Sequence, residues 1–144
     1  MYKRELESYD REEIREAIDA GERALHSLRE AKSSLGSARG WGLVDLFGGH
    51  AISGLIKHMK VTDARNSLDA AKADLARFRK ELADVQDIQG LHVQIGDFLT
   101  FADFFFDGFL ADIMVQSKIK QGEEEIDDAI RRIEVLVRRL RVSL

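Results

Sequence analysis

Apolar residues recur along most of the chain at alternating steps of three and four, which aligns them along one face of an α-helix. The first stripe is aliphatic and is formed by Ile14, Ile18, Leu25, Leu28 and Leu35. Alanines widen this stripe at Ala17, Ala20, Ala24 and Ala31. A stripe of this width is typical of a helix that packs along other helices. The pattern therefore predicts a long helix over residues 5–38.

Two more stripes of the same spacing follow further along the chain. The second is formed by Val61, Ala64, Leu68, Ala71, Leu75, Phe78, Leu82 and Val85. The third is formed by Ile119, Ile126, Ala129, Ile133, Leu136 and Leu140. They predict long helices over residues 50–89 and 108–142, and the absence of proline agrees, because proline breaks helix interiors. The sequence thus predicts an all-α single domain over residues 1–144, with three long antiparallel helices in a coiled-coil-like bundle.

Two aromatic stretches flanked by glycine separate the three stripes. The first reads GWGxxDLxGG at residues 40–49, and the second reads FADFFFDG at residues 101–108. Glycine frees the backbone to turn, so each stretch is predicted to hold a short helix at a turn, over about 42–47 and 98–107. Residues 91–97 are predicted to form an extended connector.

The two aromatic stretches also suggest an internal repeat. A shift of 58 residues places Asp45 on Asp103 and Phe47 on Phe105. The alternative is that no duplication took place. The two halves share few identities, and any two helices with heptad spacing can be aligned. Under either interpretation, each short helix carries an aspartate.

These motifs, with the pair Lys57-His58 between them, resemble a group of bacterial all-helical proteins, chiefly from Firmicutes. The resemblance covers about residues 33–120. It implies a helical fold and a bacterial cytoplasmic protein. No activity is assigned to that group, so the resemblance implies nothing about chemistry.

Charge and composition exclude several classes of function. The formal net charge is −4, whereas nucleic-acid binding proteins normally carry a basic face, so no nucleic acid is expected. Five arginines between 131 and 141 are interpreted as a solvated face that stabilises a helix C-terminus. The absence of cysteine excludes disulfides, thiolate metal sites and cysteine nucleophiles. A cytoplasmic location is expected, because the first ten residues also lack the apolar core of a secretory signal.

The segment 98–115 is apolar enough to be considered as a membrane span. Its aliphatic and aromatic residues favour insertion by roughly 3–6 kcal/mol in total. Asp103, Asp107 and Asp112 oppose insertion by roughly 8–10 kcal/mol together. The aspartates outweigh the apolar residues, so no transmembrane segment is predicted.

Aspartates near the two breaks are the candidate metal ligands. Asp45, Asp103, Asp107 and Asp112, with His50, offer the oxygen and imidazole ligands that divalent cations bind. The competing and favoured interpretation is helix capping, in which an aspartate accepts backbone N–H bonds, together with buried hydrogen bonding. The Glu-x-x-His motif of di-metal helical bundles is absent. Neither a metal nor a cofactor is therefore predicted.

Aromatic residues near the breaks are the candidate partner-binding residues: Trp41, Phe47, Phe104, Phe106 and Phe109. Exposed rings of this kind form docking surfaces for proteins or membranes. The competing and favoured interpretation is that Trp41 and the six phenylalanines of residues 98–109 belong to the core, since a helix that is apolar around most of its circumference is usually buried.

Motifs for phosphate loops, serine hydrolases and zinc proteases are absent, so no catalytic residue is predicted. We expect a non-enzymatic helical interaction or structural module that binds a protein partner or forms a homo-oligomer. One alternative is a metal- or small-ligand-binding helical protein that uses the aspartates and histidines near the breaks. Another is a peripheral membrane protein that docks through its phenylalanine-rich segment.

Overall fold

The computed structural model describes residues 2–46, 50–88, 90–105 and 119–144, with side chains for 9–34, 65–88, 90–105 and 122–144. Within this part the chain is all-helical and contains no strand, which confirms the predicted all-α class. The helices are α1 (Tyr2–Leu46), α2 (His50–Val85), α3 (His92–Phe104) and α4 (Ile119–Val142). None of these helices, over the described residues, combines the length and apolar content that a bilayer crossing requires.

Helix α1 is longer than its stripe predicts. It runs unbroken for 45 residues, about 68 Å, through the glycines at 36, 40 and 42. This corrects both the predicted end at residue 38 and the predicted separate helix over 42–47, whose residues 42–46 are the last turns of α1. The physical reason is that glycine costs a helix only about 1 kcal/mol, whereas a proline, absent here, would end it.

Helix α3 occupies the segment predicted as an extended connector. The alternation of Leu91, Val93 and Ile95 suggested a period of two, but Val93 is exposed while Leu91 and Ile95 are both buried. Leu91, Ile95, Phe98, Ala102 and Phe105 are all buried, at steps of four, three, four and three. The period is therefore helical, and the predicted start at residue 98 is corrected to His92. The predicted end of this helix at residue 107 and the predicted start of the last long helix at residue 108 lie outside the described residues.

The chain reverses direction between α2 and α3 at Gly90. Helix α2 ends at Val85, four residues before its predicted end. Gly90 has a φ of +92°, a conformation that side chains disfavour and that glycine adopts freely. Next to it, the Leu91 amide donates to the Ile88 carbonyl at 3.1 Å, and the Ile95 amide donates to the Leu91 carbonyl at 3.0 Å. These bonds close the turn and start α3.

The core is formed by the predicted stripes together with α3. Every stripe member whose side chain is described is at most 7% exposed. Helix α3 adds Phe98, whose ring centroid lies 5.4 Å from that of Phe78 on α2. Burial of such aromatic and aliphatic side chains contributes about 1.5–3 kcal/mol each, so each buried member of the stripes stabilises the fold.

Polar contacts show which helices adjoin. Between α1 and α2, the buried Ser27 hydroxyl donates to the Asp74 carboxylate, and the Ser34 and Ser67 hydroxyls lie 3.1 Å apart. Contacts between α1 and α4 are ion pairs, formed by Glu22 with Arg141, Arg29 with Glu134 and Lys32 with Asp127. Helix α3 lies against α2 and α4, so α1 and α3 each contact the same two helices.

Gly21 lies where α1 packs tightly against both of its neighbours. A Cβ atom added there would lie 2.7 Å from the Val137 Cγ2 atom and 3.0 Å from the Phe78 Cε1 atom. Real Cβ atoms essentially never come this close, so only glycine lets the three helices meet at this level.

Candidate interaction surfaces

An open groove lies between α3 and α4 on the outside of the helical assembly. Its volume is about 300 Å³. It is lined by Gln94, Asp97, Phe98, Arg131, Arg132, Val135, Leu136 and Arg139. We refer to it as the α3–α4 groove.

One aromatic ring of α3, Phe98, lines the α3–α4 groove. It is the first of a row of rings on α3, since its centroid lies 6.1 Å from that of Phe101, which lies 5.8 Å from that of Phe105. On the α4 side, Leu136 is buried at the base, while Val135 is 52% exposed. The groove therefore offers an apolar surface that the described part of the chain leaves partly uncovered.

The edges of the α3–α4 groove are basic. The Nε atom of Arg132 donates to Asp128 at 3.1 Å, and its guanidinium lies 4.4 Å from the centre of the Phe101 ring. Arg131 lies 3.9 Å from Asp128, a weak contact. Arg139 forms no ion pair with any described residue. Against these three cations the lining carries a single carboxylate, Asp97, so its net charge is positive.

A second surface, formed by α1 and α2, has the opposite charge. Carboxylate oxygens of Glu13, Glu16 and Glu81 lie within 4.8 Å of one another, with Asp84 and the exposed Tyr9 nearby. We call these five residues the acidic face. Three carboxylates at this spacing resemble a cation site. Acidic groups of this kind are common without an ion, and no other observation on the described residues indicates a metal.

Repulsion from neighbouring carboxylates raises the pKa of Glu16. Glu13 raises the pKa of Glu16 above its ordinary value most strongly, followed by partial desolvation and by Glu81. Glu13 also raises the pKa of Tyr9, through its charge and through a hydrogen bond from the phenol. In both cases a negative charge nearby disfavours a further negative charge. A positively charged group bound at the acidic face would therefore reduce the electrostatic repulsion between its carboxylates.

Sequence reasoning missed the acidic face, although part of its signal is present. Glu13 and Glu16 are three apart and share a helix face. Glu81 joins them only because α1 and α2 pack in one particular register, which the stripes alone do not determine. The α3–α4 groove was also missed, because it depends on how α3 packs against α4, which the spacing of apolar residues does not determine.

Asp103 is the predicted metal ligand whose side chain the structure describes. It lies in the last turn of α3 and forms an ion pair with Arg79 of α2. The favoured prediction that it caps a short helix is therefore wrong, because α3 begins at His92 and its N-cap is Leu91. No other predicted ligand lies beside it among the residues with described side chains.

The other predicted metal ligands are not placed by their side chains. Asp45 and His50 lie in α1 and α2, but their side chains are outside the described set. Asp107 and Asp112 lie outside the described residues altogether. The metal hypothesis therefore stays untested at these four positions.

Phe104 is the predicted partner-binding residue that the structure places. Its side chain is 69% exposed, and Val93, three turns earlier on the same face of α3, is similarly exposed. Phe98 and Phe105 are buried, so the core interpretation is correct for those two rings. Outside the described side chains lie Trp41, Phe47, Phe106 and Phe109. The internal repeat stays a prediction for the same reason.

The one buried polar side chain among the described residues does not resemble a nucleophile. Ser27 donates its hydroxyl proton to Asp74, a weak base. The adjacent His26, which a serine nucleophile would need as its base, instead contacts Glu30 at 3.2 Å on the surface. Ser27 and Asp74 therefore form a structural contact between α1 and α2.

No family model, no curated protein and no solved structure matches the chain. The resemblance to bacterial helical proteins stays an expectation from the sequence motifs. Inference about function therefore depends on the two surfaces.

Proposed function

We propose that this protein is a non-enzymatic helical interaction module that binds another protein through the α3–α4 groove. Its scaffold, in this proposal, is an antiparallel coiled-coil-like bundle of α1, α2 and α4, with the shorter α3 as a fourth wall. The cytoplasmic location expected from the sequence belongs to the same proposal.

Support for the antiparallel scaffold comes from the order of the polar contacts. Ser27 and Ser34 on α1 meet Asp74 and Ser67 on α2, so the numbers rise on one helix as they fall on the other. The ion pairs of α1 with α4 follow the same rule, since the α1 partners 22, 29 and 32 meet the α4 partners 141, 134 and 127. Flanking ion pairs of this kind set the orientation of helices in coiled coils.

The observation that carries the function is the composition of the α3–α4 groove. Apolar side chains line its base, and arginines line its edges. An apolar centre within a polar rim, enriched in aromatic residues and arginine, is typical of protein interfaces. The volume of about 300 Å³ lies at the lower limit for small-molecule pockets, which favours one or two side chains of a protein partner.

Binding of a labelled probe tests this function. The probe is a synthetic amphipathic helical peptide in which glutamates flank one tyrosine and one leucine, and the readout is fluorescence anisotropy. We expect saturable binding to the full chain, weakened by Val135→Glu, which places a carboxylate at the groove. Val142→Glu is the matched control, because Val142 is exposed but does not line the groove. Equal affinity for the two variants, or no binding by the parent chain, would contradict the proposal.

Docking to a membrane surface is a second candidate, supported by Phe104 and Val93 on the outer face of α3. Asp97 lies on the same face between them and would be repelled by anionic lipid. Co-sedimentation with vesicles of mixed phosphatidylcholine and phosphatidylserine tests this candidate. A pelleted fraction that Phe104→Glu abolishes would support it, and failure to pellet would exclude it.

A further inference from the structure

We propose that the occupant of the α3–α4 groove is the acidic face of a second copy of this chain, so that copies associate side by side in an open series. This inference rests on the proposed function, because it names the partner that the groove binds. It explains both surfaces with a single contact.

The two surfaces lie on opposite sides of the molecule. The acidic face belongs to α1 and α2, whereas the groove belongs to α3 and α4. Since α1 and α3 each pack between α2 and α4, the outer surface of one pair faces away from that of the other. One chain therefore cannot fill its own groove with its own acidic face. A contact between two different patches is heterologous and leaves one patch of each kind free at the ends.

The acidic face carries an aromatic side chain suited to the groove. Tyr9 is 61% exposed and shares one face of α1 with Glu13 and Glu16, at steps of four and three. The groove presents the half-exposed Val135 to such a ring, and the buried Phe98 and Leu136 lie at its base. Tyrosine is enriched among the residues that contribute most to protein interfaces, because its ring is apolar and its hydroxyl tolerates a wet rim.

Charge complementarity is the second argument for a second copy. Glu13, Glu16 and Glu81 repel one another in the isolated chain. Arg139 has no ionic partner among the described residues, and Arg131 has only a distant one. Docking would pair these arginines with the carboxylates and would replace repulsion by attraction. Because exposed charges are screened over about 8 Å at physiological ionic strength, we expect the association to weaken as salt is added.

Sedimentation velocity of the full chain over a range of protein concentration tests the proposal. We expect a weight-average mass that rises with concentration without reaching a fixed stoichiometry, and that falls at high salt. Arg139→Glu should raise the dissociation constant about tenfold or more, since it replaces an attraction at the interface by a repulsion. Arg138→Glu is the matched control, because the substitution changes the charge equally. Arg138 lines a different groove, between α1 and α4.

Tyr9→Ala tests the other half of the contact. Tyr9 is largely exposed, so the variant should fold as the parent does, which a thermal melt checks. It should associate about tenfold or more weakly. The control is Val142→Ala, an equally exposed apolar truncation that belongs to neither surface. Equal weakening by variant and control at either site would overturn the proposal.

A mixture of the two variants gives the sharpest outcome. Arg139→Glu retains an intact acidic face, and Tyr9→Ala retains an intact groove. We expect the mixture to form a dimer that does not grow, because each pair has one working contact and two blocked ends. A mixture that stays monomeric overturns the proposal, as does a parent chain that is monomeric at every concentration. If the parent is monomeric but still binds the acidic peptide through its groove, the proposed function stands and this inference fails.

Discussion

At the scale of single residues, Gly21 and Gly96, which both lie inside helices, have opposite environments. A methyl group at Gly21 would overlap Val137, whereas a methyl group at Gly96 would meet no atom within 4 Å. Replacing glycine by alanine favours a helix by about 0.5–1 kcal/mol, and overpacking a core costs about 1–3 kcal/mol. We therefore expect Gly96→Ala to raise the free energy of unfolding and Gly21→Ala to lower it. Urea denaturation measures both, and equal stabilisation by the two variants would contradict the tight fit.

Glu16 gives a pH-dependent prediction at the same scale. Its pKa in the folded chain is raised above its ordinary value of 4.5, first by the charge of Glu13. Between these two values the folded state binds more protons than the unfolded state, so stability rises as the pH falls through that window. Above the raised pKa, the charge of Glu16 is a net cost to folding.

Removal of that charge should therefore stabilise the chain at neutral pH. We expect Glu16→Gln to melt at a higher temperature than the parent at pH 7. The difference should shrink as the pH falls below the raised pKa, because the parent then carries a neutral carboxyl as well. Glu30→Gln is the control, since Glu30 faces His26 rather than other carboxylates. A difference that is constant with pH would contradict the assigned repulsion.

At the scale of elements, α3 attaches to the core through one face. Phe98 is 4% exposed and packs on Phe78, while Phe104, six residues later on the same helix, is mostly exposed. We expect Phe98→Ala to lower the free energy of unfolding by about 3–5 kcal/mol, because it leaves a cavity. Phe104→Ala should change it by about 0.5 kcal/mol or less. Similar losses for the two variants, in chemical denaturation, would show that α3 packs through another face.

Helix α3 also shows where the sequence misleads. Leu91, Val93 and Ile95 alone fit a strand as well as a helix, because three alternating residues satisfy a period of two. Only the continuation through Phe98, Ala102 and Phe105 distinguishes the helical period. Capping signals did not help, because the N-cap residue Leu91 forms no side-chain cap.

At the scale of the whole molecule, the contact of α1 with α4 can be tested by exchanging charges. Arg29 and Glu134 lie 3.0 Å apart and are both about half exposed. We expect Arg29→Glu to lower the free energy of unfolding by up to about 1 kcal/mol, because it places two carboxylates together. The double exchange with Glu134→Arg should restore most of the loss. Additive losses in this double-mutant cycle would contradict the packing of these two helices.

The stripes predicted the core residue by residue, because burial repeats with the helical period. They did not predict the α3–α4 groove, which depends on how α3 packs against α4. The acidic face required the register of α1 against α2, since Glu16 and Glu81 are 65 residues apart in the chain. The alignment of one helix against another is a long-range property, and a repeating apolar pattern permits several such alignments.

Gly21 excludes some of these alignments. Two heptad helices can slide past each other by seven residues and still bury their stripes. A slide of α2 by one heptad would place the Phe78 ring near Ile14 or Leu28 instead of Gly21, where side chains already fill the core. The Ser34 hydroxyl could still meet Asp74 after one such slide, so the polar contacts discriminate less. A residue without a side chain thus selects one alignment of the helices among several that the apolar pattern permits.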